Sequence, residues 1–260
     1  MNIAILMSGR TDRFHTVLNL NKQHLIQPFL NSGHKVDMFG SFWDEYDTQS
    51  CISAFQPHWK VTDIETLTPF TGGIIKNFNE HQYLIKKFKH DTDSRVSNTL
   101  YWLYKLNRLY KIVKQYEYIN NIKYDYYVRI RPDIGLRYPF KVDDLNLLTN
   151  DSIIVHVDHV VNWGGKLYGC GEGWIDDNFC IAKQHPFEVY CSIYDDILEL
   201  SNQCQSCISH IILKKQFELK NVKTLLPNSS LVMDRITEQG NQIIYYFEHV
   251  YPDFDFTLYV

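Results

Sequence analysis

Tyr124-Asp125-Tyr126-Tyr127-Val128-Arg129-Ile130-Arg131-Pro132-Asp133-Ile134-Gly135 is the stretch on which the reading of this chain turns. Residues 124–130 read as a β-strand, in which side chains two apart share a face. Tyr127, Arg129 and Arg131, with Asp133 if the extension continues, then point one way, and Tyr126, Val128 and Ile130 point the other. The second face is core. The first carries two guanidiniums ending in a carboxylate, and arginines buried in a sheet are costly unless something anionic meets them. Asp133 suits one of them. The other calls for a further partner, and a diphosphate fits, because a guanidinium fork matches phosphate oxygens. Pro132 donates nothing to a ladder, so the strand ends near Arg131 and leaves Asp133 just past that end. Ligands of open α/β sheets bind beyond the carboxyl ends of the strands, where this reading puts Asp133. A carboxylate there can hold a divalent cation on a diphosphate, or a ribose hydroxyl. The competing reading is a structural Arg–Asp network that supports a loop.

Around this strand the pattern alternates as in an α/β protein. Residues 2–7 are an apolar run suited to a strand covered on both faces, and a helix is expected over 13–31, closed by Ser32-Gly33-His34. Strands follow at 35–42 and 58–64, then a long helix at 97–119 with Leu100, Leu103, Leu106, Leu109 and Val113 on its stripe. Beyond the central strand come a strand at 152–157, a Gly-rich loop at 164–173 and a short strand at 178–182. Helices at 186–200 and 207–220 and strands at 222–226 and 243–247 complete the chain. No repeat or linker divides it, so one α/β domain over 1–260 is expected, with a mainly parallel central sheet flanked by helices.

With 260 residues, 45% apolar and 22% charged, the chain can bury a core without staples. A net charge of −4 argues against a nucleic-acid partner, which selects for a basic face. Tyr, Phe and Trp reach 15%, a content that suits sugar clefts and that AT-rich codon usage also produces. Nowhere do about 18 apolar residues run together, so no transmembrane segment is expected, and the short apolar start does not read as a signal peptide. Six scattered cysteines without a secretion signal point to free thiols and a cytoplasmic location, the host cytoplasm if the protein is viral. Cys204-Gln205-Ser206-Cys207 lacks the second ligand pair of a zinc site.

The strand Tyr-Asp-Tyr-Tyr-Val-Arg-Ile-Arg-Pro-Asp follows a long helix and is followed by Trp174-Ile175-Asp176-Asp177-Asn178-Phe179-Cys180-Ile181-Ala182. Together with the opening Ile3-Ala4-Ile5-Leu6-Met7-Ser8-Gly9-Arg10 and a helix bearing Asn98, Trp102 and Lys105, this order resembles GT-A-type glycosyltransferases of large DNA viruses and bacterial polysaccharide loci. The resemblance implies a GT-A-like fold and transfer of a sugar from a nucleotide-diphosphate donor to a glycan or glycoconjugate hydroxyl. Ser8, Gly9, Arg10 and Arg13 would line the nucleotide end, with Arg129 and Arg131 neutralising the diphosphate. Lys105 would reach a phosphate, a solvated helix face being the alternative for it. Asp133 would stand where the fold keeps the last carboxylate of its Asp-x-Asp motif and would hold Mn²⁺ or Mg²⁺, with His249 as a further metal ligand. The chain departs from that motif, since Arg131 occupies the first Asp position, and the arginines are then expected to take over part of the charge neutralisation.

Glu172-Gly173-Trp174-Ile175-Asp176-Asp177 forms a second constellation, read as a glycine-flexed loop before a short strand. Asp176 or Asp177 is the candidate carboxylate at the acceptor, and capping of an exposed loop is the bland alternative. Trp174 fits either a sugar ring or the core. A P-loop and a Gly-x-Gly-x-x-Gly turn are both absent, which argues against phosphotransferase or sulfotransferase and dinucleotide chemistry. A non-catalytic carbohydrate-binding or scaffold protein of the same fold is the remaining alternative. Carboxylates facing one cleft would favour the enzyme, and carboxylates on opposite surfaces would sink it.

Overall fold

The apolar run at the N-terminus forms the middle of a sheet. A computed structural model describes residues 1–9, 11, 14–44, 47–56, 58–65, 78–88, 93–157, 160–163, 166–169, 175–225, 233–236 and 242–246. In it β1 (Asn2–Gly9) is paired on both edges, and Ile3 to Met7 are buried, as a strand covered on both faces requires. α1 (Phe14–Leu20), a π-helical stretch (Asn21–Ile26) and α2 (Gln27–Asn31) run on as the helix expected there. Gly33 ends it at φ +74°, a left-handed conformation that glycine adopts without a Cβ penalty. β2 (Lys35–Trp43), α3 (Thr48–Ala54) and β3 (Trp59–Glu65) complete the first half, and α4 (Phe78–Lys87) leads to α5 (Asp93–Asn120). Leu100, Leu103, Leu106, Leu109 and Val113 of α5 are buried, the stripe read from their spacing.

β4 (Tyr126–Ile130) is the strand of the opening motif, followed by β5 (Gly135–Leu136), a 3-10 turn (Val142–Leu147) and β6 (Ser152–Val157). Next come β7 (Val160–Trp163), β8 (Lys166–Gly169), β9 (Ile175–Ala182), α6 (Gln184–Cys191), α7 (Ile197–Cys204) and α8 (Ser209–Leu219). β10 (Lys223–Leu225), β11 (Met233–Ile236) and β12 (Gln242–Tyr246) close the described chain. The central sheet has seven strands in the order β10-β6-β9-β4-β1-β2-β3, and only β9 runs antiparallel to its neighbours. The α/β class and the mainly parallel sheet flanked by helices are therefore as the sequence reads. A second sheet, β5-β11-β12-β7-β8, is antiparallel throughout. Among the described residues no helix is long and apolar enough to cross a membrane.

Two cores flank the central sheet. Ala4, Leu6, Phe39 and Tyr127 pack with the α5 stripe and with α6 and α8 on one face, while Ile5, Met38, Val128 and Ile130 pack under Leu25, Ile26 and Phe29 on the other. The alternation expected along β4 is thus realised, with Tyr127 on one face and Val128 and Ile130 on the other.

Three expectations are corrected. Residues 166–169 of the Gly-rich segment form β8, the second strand of a hairpin with β7, because β7 is already laddered to β12 and offers its other edge. The helix expected over 186–200 breaks at a 3-10 turn, Ser192–Tyr194, beyond which Asp195 is tied to Asn107 and Lys111 of α5. β9 begins at Ile175, earlier than expected, since it is sandwiched between β4 and β6, so Asp176 and Asp177 lie on a strand and not on a loop.

Candidate functional site

β4 ends at Ile130, and the chain turns through Pro132 with Ile134 N–H donating to the Arg131 carbonyl at 3.3 Å. The turn denies Asp133 the continued extension that would keep it on the arginine face, and it folds the carboxylate back onto the preceding guanidinium. Arg131 donates from Nε and Nη2 to the two Asp133 oxygens at 2.9 and 2.8 Å, a fork-on-fork pair in which Asp133 is 4% and Arg131 21% exposed. Gly9, at the end of β1, has φ +127°, and a Cβ there would lie 3.7 Å from Pro132 Cδ and 4.0 Å from Arg131 Cγ. Those distances would admit a Cβ, so what glycine supplies at the end of β1 is a backbone conformation that other residues rarely adopt.

Arg129 is 1% exposed. Its Nη1 donates to the Asn178 carbonyl at 2.6 Å, the same carbonyl that accepts Arg131 N–H at 3.2 Å, so β9 grips the end of β4 through both arginines. The guanidinium lies 5.6 Å from the Trp102 ring centroid, and its Nε is buried without a hydrogen-bond partner. Asp177 lies within electrostatic reach of both arginines. Burial pushes the Asp177 carboxyl up, but the charges of His210, Arg131 and Arg129 and a hydrogen bond from Ser209 pull it down by more, leaving it below the ordinary aspartate range. Asp177 is therefore ionised at neutral pH.

His210 is held by its own backbone contact. Its Nδ1 lies 2.7 Å from the Ile175 carbonyl, and because a carbonyl only accepts, Nδ1 carries the proton and the ring orientation is set. Asp177, Arg131, Ser209 and His210, with Asn98 and Trp102 of α5, line one cleft of about 330 Å³, in the range of small-molecule sites. The cleft opens beyond the carboxyl end of β4. It brings together an ionised carboxylate, an imidazole, a guanidinium and an indole, a set able to hold an anion beside a sugar-sized body and to accept a proton.

The structure distributes the candidate residues as follows. Arg131 and Asp177 meet in the cleft, with Asp133 clamped to Arg131 and Arg129 buried behind. Ser8 is buried at the end of β1 and its Oγ has no hydrogen-bond partner. Lys105 meets neither expectation: it is 0% exposed, donating to the Phe42 carbonyl at 2.8 Å with its ammonium 4.1 Å from the Trp43 ring centroid. Its position between Leu103 and Leu106 on the packed side of α5 is the reason. Arg10, Arg13, Trp174, Glu172, His249 and the side chain of Asp176 lie outside the described residues.

The residues at Asp133 do not fit a divalent metal. Both carboxylate oxygens are engaged by a guanidinium, and no group of three His, Cys, Asp or Glu side chains that could hold an ion occurs among the described residues. His210 and Ser209 are the site residues the sequence reading misses. A Ser-His pair opening a helix is an ordinary capping pattern, and nothing along the chain ties position 210 to position 177. No protein-family model matches the sequence, and no curated protein matches it.

Proposed function

We propose that the chain is a GT-A-like glycosyltransferase that moves a sugar from a nucleotide-diphosphate donor to a hydroxyl of a glycan or glycoconjugate. The observation that carries this reading is the meeting of Asp177 and the Asp133-clamped Arg131 in one cleft at the carboxyl end of β4. In this reading the diphosphate lies against Arg131, with Ser8 and Gly9 on the nucleotide side together with Arg10 and Arg13. Trp102 supplies an apolar surface for the sugar.

The acceptor oxygen attacks the anomeric carbon, the bond from that carbon to the diphosphate oxygen breaks, and the nucleoside diphosphate leaves with the electron pair. The acceptor proton passes to the Asp177 carboxylate, with Asp176 the other candidate. The cations around Asp177 keep it in the base form while weakening it as a base. Proton transfer is then favourable only late, once attack has made the acceptor hydroxyl acidic. The anion leaving beside Arg131 is met by a guanidinium already fixed in place by Asp133, so little reorganisation accompanies bond breaking.

A thermal-shift panel of UDP-, GDP-, dTDP- and CMP-sugars tests the reading, because a ligand that binds only the folded state raises its apparent stability. A shift with one nucleotide-diphosphate sugar, followed by release of its sugar to an acceptor, is expected. Silence across the panel would move the assignment to the non-catalytic carbohydrate-binding or scaffold reading.

A further inference from the structure

The donor set at Asp133 and the charge of the diphosphate together specify how that charge is met. Building on the nucleotide-sugar reading above, we propose that the diphosphate binds through Arg131 without a divalent ion, and that Asp133 is a positioning residue for that guanidinium. Asp133 presents both oxygens to one edge of the guanidinium, at 2.9 and 2.8 Å, and is almost wholly buried. A divalent ion on the same carboxylate would sit beside a fixed positive charge at a nearly buried group, where repulsion is screened less than in bulk water. The described carboxylate that lines the cleft, Asp177, already lies in the field of His210, Arg131 and Arg129. Basic groups therefore occupy the places that a metal's ligands and the metal itself would take.

Two further observations point to an anion at this place. Arg129, 1% exposed directly behind the cleft, keeps a buried Nε with no hydrogen-bond partner, and Ser8 keeps a buried Oγ with none. Both stand on the α5 face of adjacent strands: Ser8 follows Met7, which pairs with Ile130, and Arg129 precedes Ile130. A buried donor without a partner is destabilising, and an oxyanion is the ligand class that such donors favour. Asp133 acts here through Arg131: it holds the planar fork in the orientation that a phosphate needs, a task a flexible ammonium does not perform.

The test measures binding of UDP, GDP, dTDP and CDP by thermal shift and calorimetry, in EDTA and with Mn²⁺ or Mg²⁺, on the full chain. The expected result is a shift by one nucleoside diphosphate in EDTA that added metal leaves unchanged. Arg131→Lys is expected to weaken binding by about tenfold to a hundredfold, the loss of a charge-assisted bidentate contact. Asp133→Asn is expected to weaken binding less and to leave it insensitive to metal. Binding that appears only with Mn²⁺ or Mg²⁺, or a metal response lost in Asp133→Asn, overturns the proposal while the nucleotide reading stands. Absence of binding by every nucleotide in both conditions overturns the two together. The wild-type comparison in EDTA and metal decides the matter even where a variant fails to fold.

Discussion

The two ends of the central sheet both hold buried carboxylates, and they use them differently. At the amino end of the parallel strands Asp37 accepts a hydrogen bond from Tyr124 Oη at 2.8 Å and is flanked by Lys35 and Lys60 at 3.4 and 3.3 Å. Glu117 accepts from Tyr127 Oη at 2.7 Å and Tyr124 N–H at 2.9 Å and is paired with Lys114. Burial, followed by the neighbouring carboxylates, pushes both phenols far above their ordinary range, so they remain neutral donors. At the carboxyl end the partners of Asp133 and Asp177 are guanidiniums and an imidazole, and a cleft reaches Asp177 and Arg131. A buried polar network is therefore no sign of a site by itself. Tyrosine hydroxyls and lysines together make the amino end a clasp between α5, β2 and β4. Access through a cleft to its charged groups is what sets the carboxyl end apart.

The sharpest way to break the contrast is to neutralise one carboxylate at each end. Asp177→Asn is expected to lower sugar transfer from whichever donor shifts the melting temperature by about 10²–10⁴, the range for loss of a general base, while the donor still produces its shift. Transfer at the wild-type rate would remove Asp177 from the chemistry. Glu117→Ala at the opposite end is expected to lower stability by about 3 kcal/mol in urea unfolding, since it strands the Tyr127 hydroxyl, the Tyr124 amide and Lys114 together. Donor binding should be untouched, and a coupled loss would mean that the two ends are not independent.

Smaller changes sharpen the picture. Gly9→Ala is expected to destabilise by about 1–3 kcal/mol in urea unfolding through its positive φ alone, since a Cβ there meets Pro132 and Arg131 only at ordinary contact distance. Tyr124→Phe is expected to cost only about 1 kcal/mol, because Lys35 and Lys60 still serve Asp37. Acid titration adds a difference in pH dependence. Since the folded Asp177 carboxyl lies below its unfolded value, it contributes stability that is complete above about pH 4 and is lost as pH falls through the folded value. Asp177→Asn should therefore flatten the acid limb of the stability profile, and an unchanged limb would mean that the surrounding cations do not act on this carboxylate.

Much of the carboxyl end is legible along the chain because its parts are close in sequence. Arg131 and Asp133 are two residues apart around a proline, so the sequence offers Asp133 as a partner for one of the arginines, and the turn at Pro132, not a continued strand, decides that it is Arg131. The need for a partner at Arg129 is legible too, since a buried guanidinium must meet an anion. That the anion within reach is Asp177 is not, because it depends on β9 inserting antiparallel between β4 and β6, a choice of strand order that no local pattern encodes. Lys105 shows the same limit: helical periodicity places it near the border of the packed stripe, and only the neighbouring Phe42 carbonyl and Trp43 ring decide that its ammonium goes inward.

By itself the sequence determined the alternation of strands and helices and the central place of residues 2–7 and 124–130, and it offered Asp133 as a partner for one arginine, because periodicity and short-range sterics act over a few residues. The tertiary structure alone decided the strand order, the arrival of Asp177 and His210 in one cleft, and the burial of Lys105. Each of these rests on packing between elements far apart in the chain, where shape and the satisfaction of buried charge select the partner.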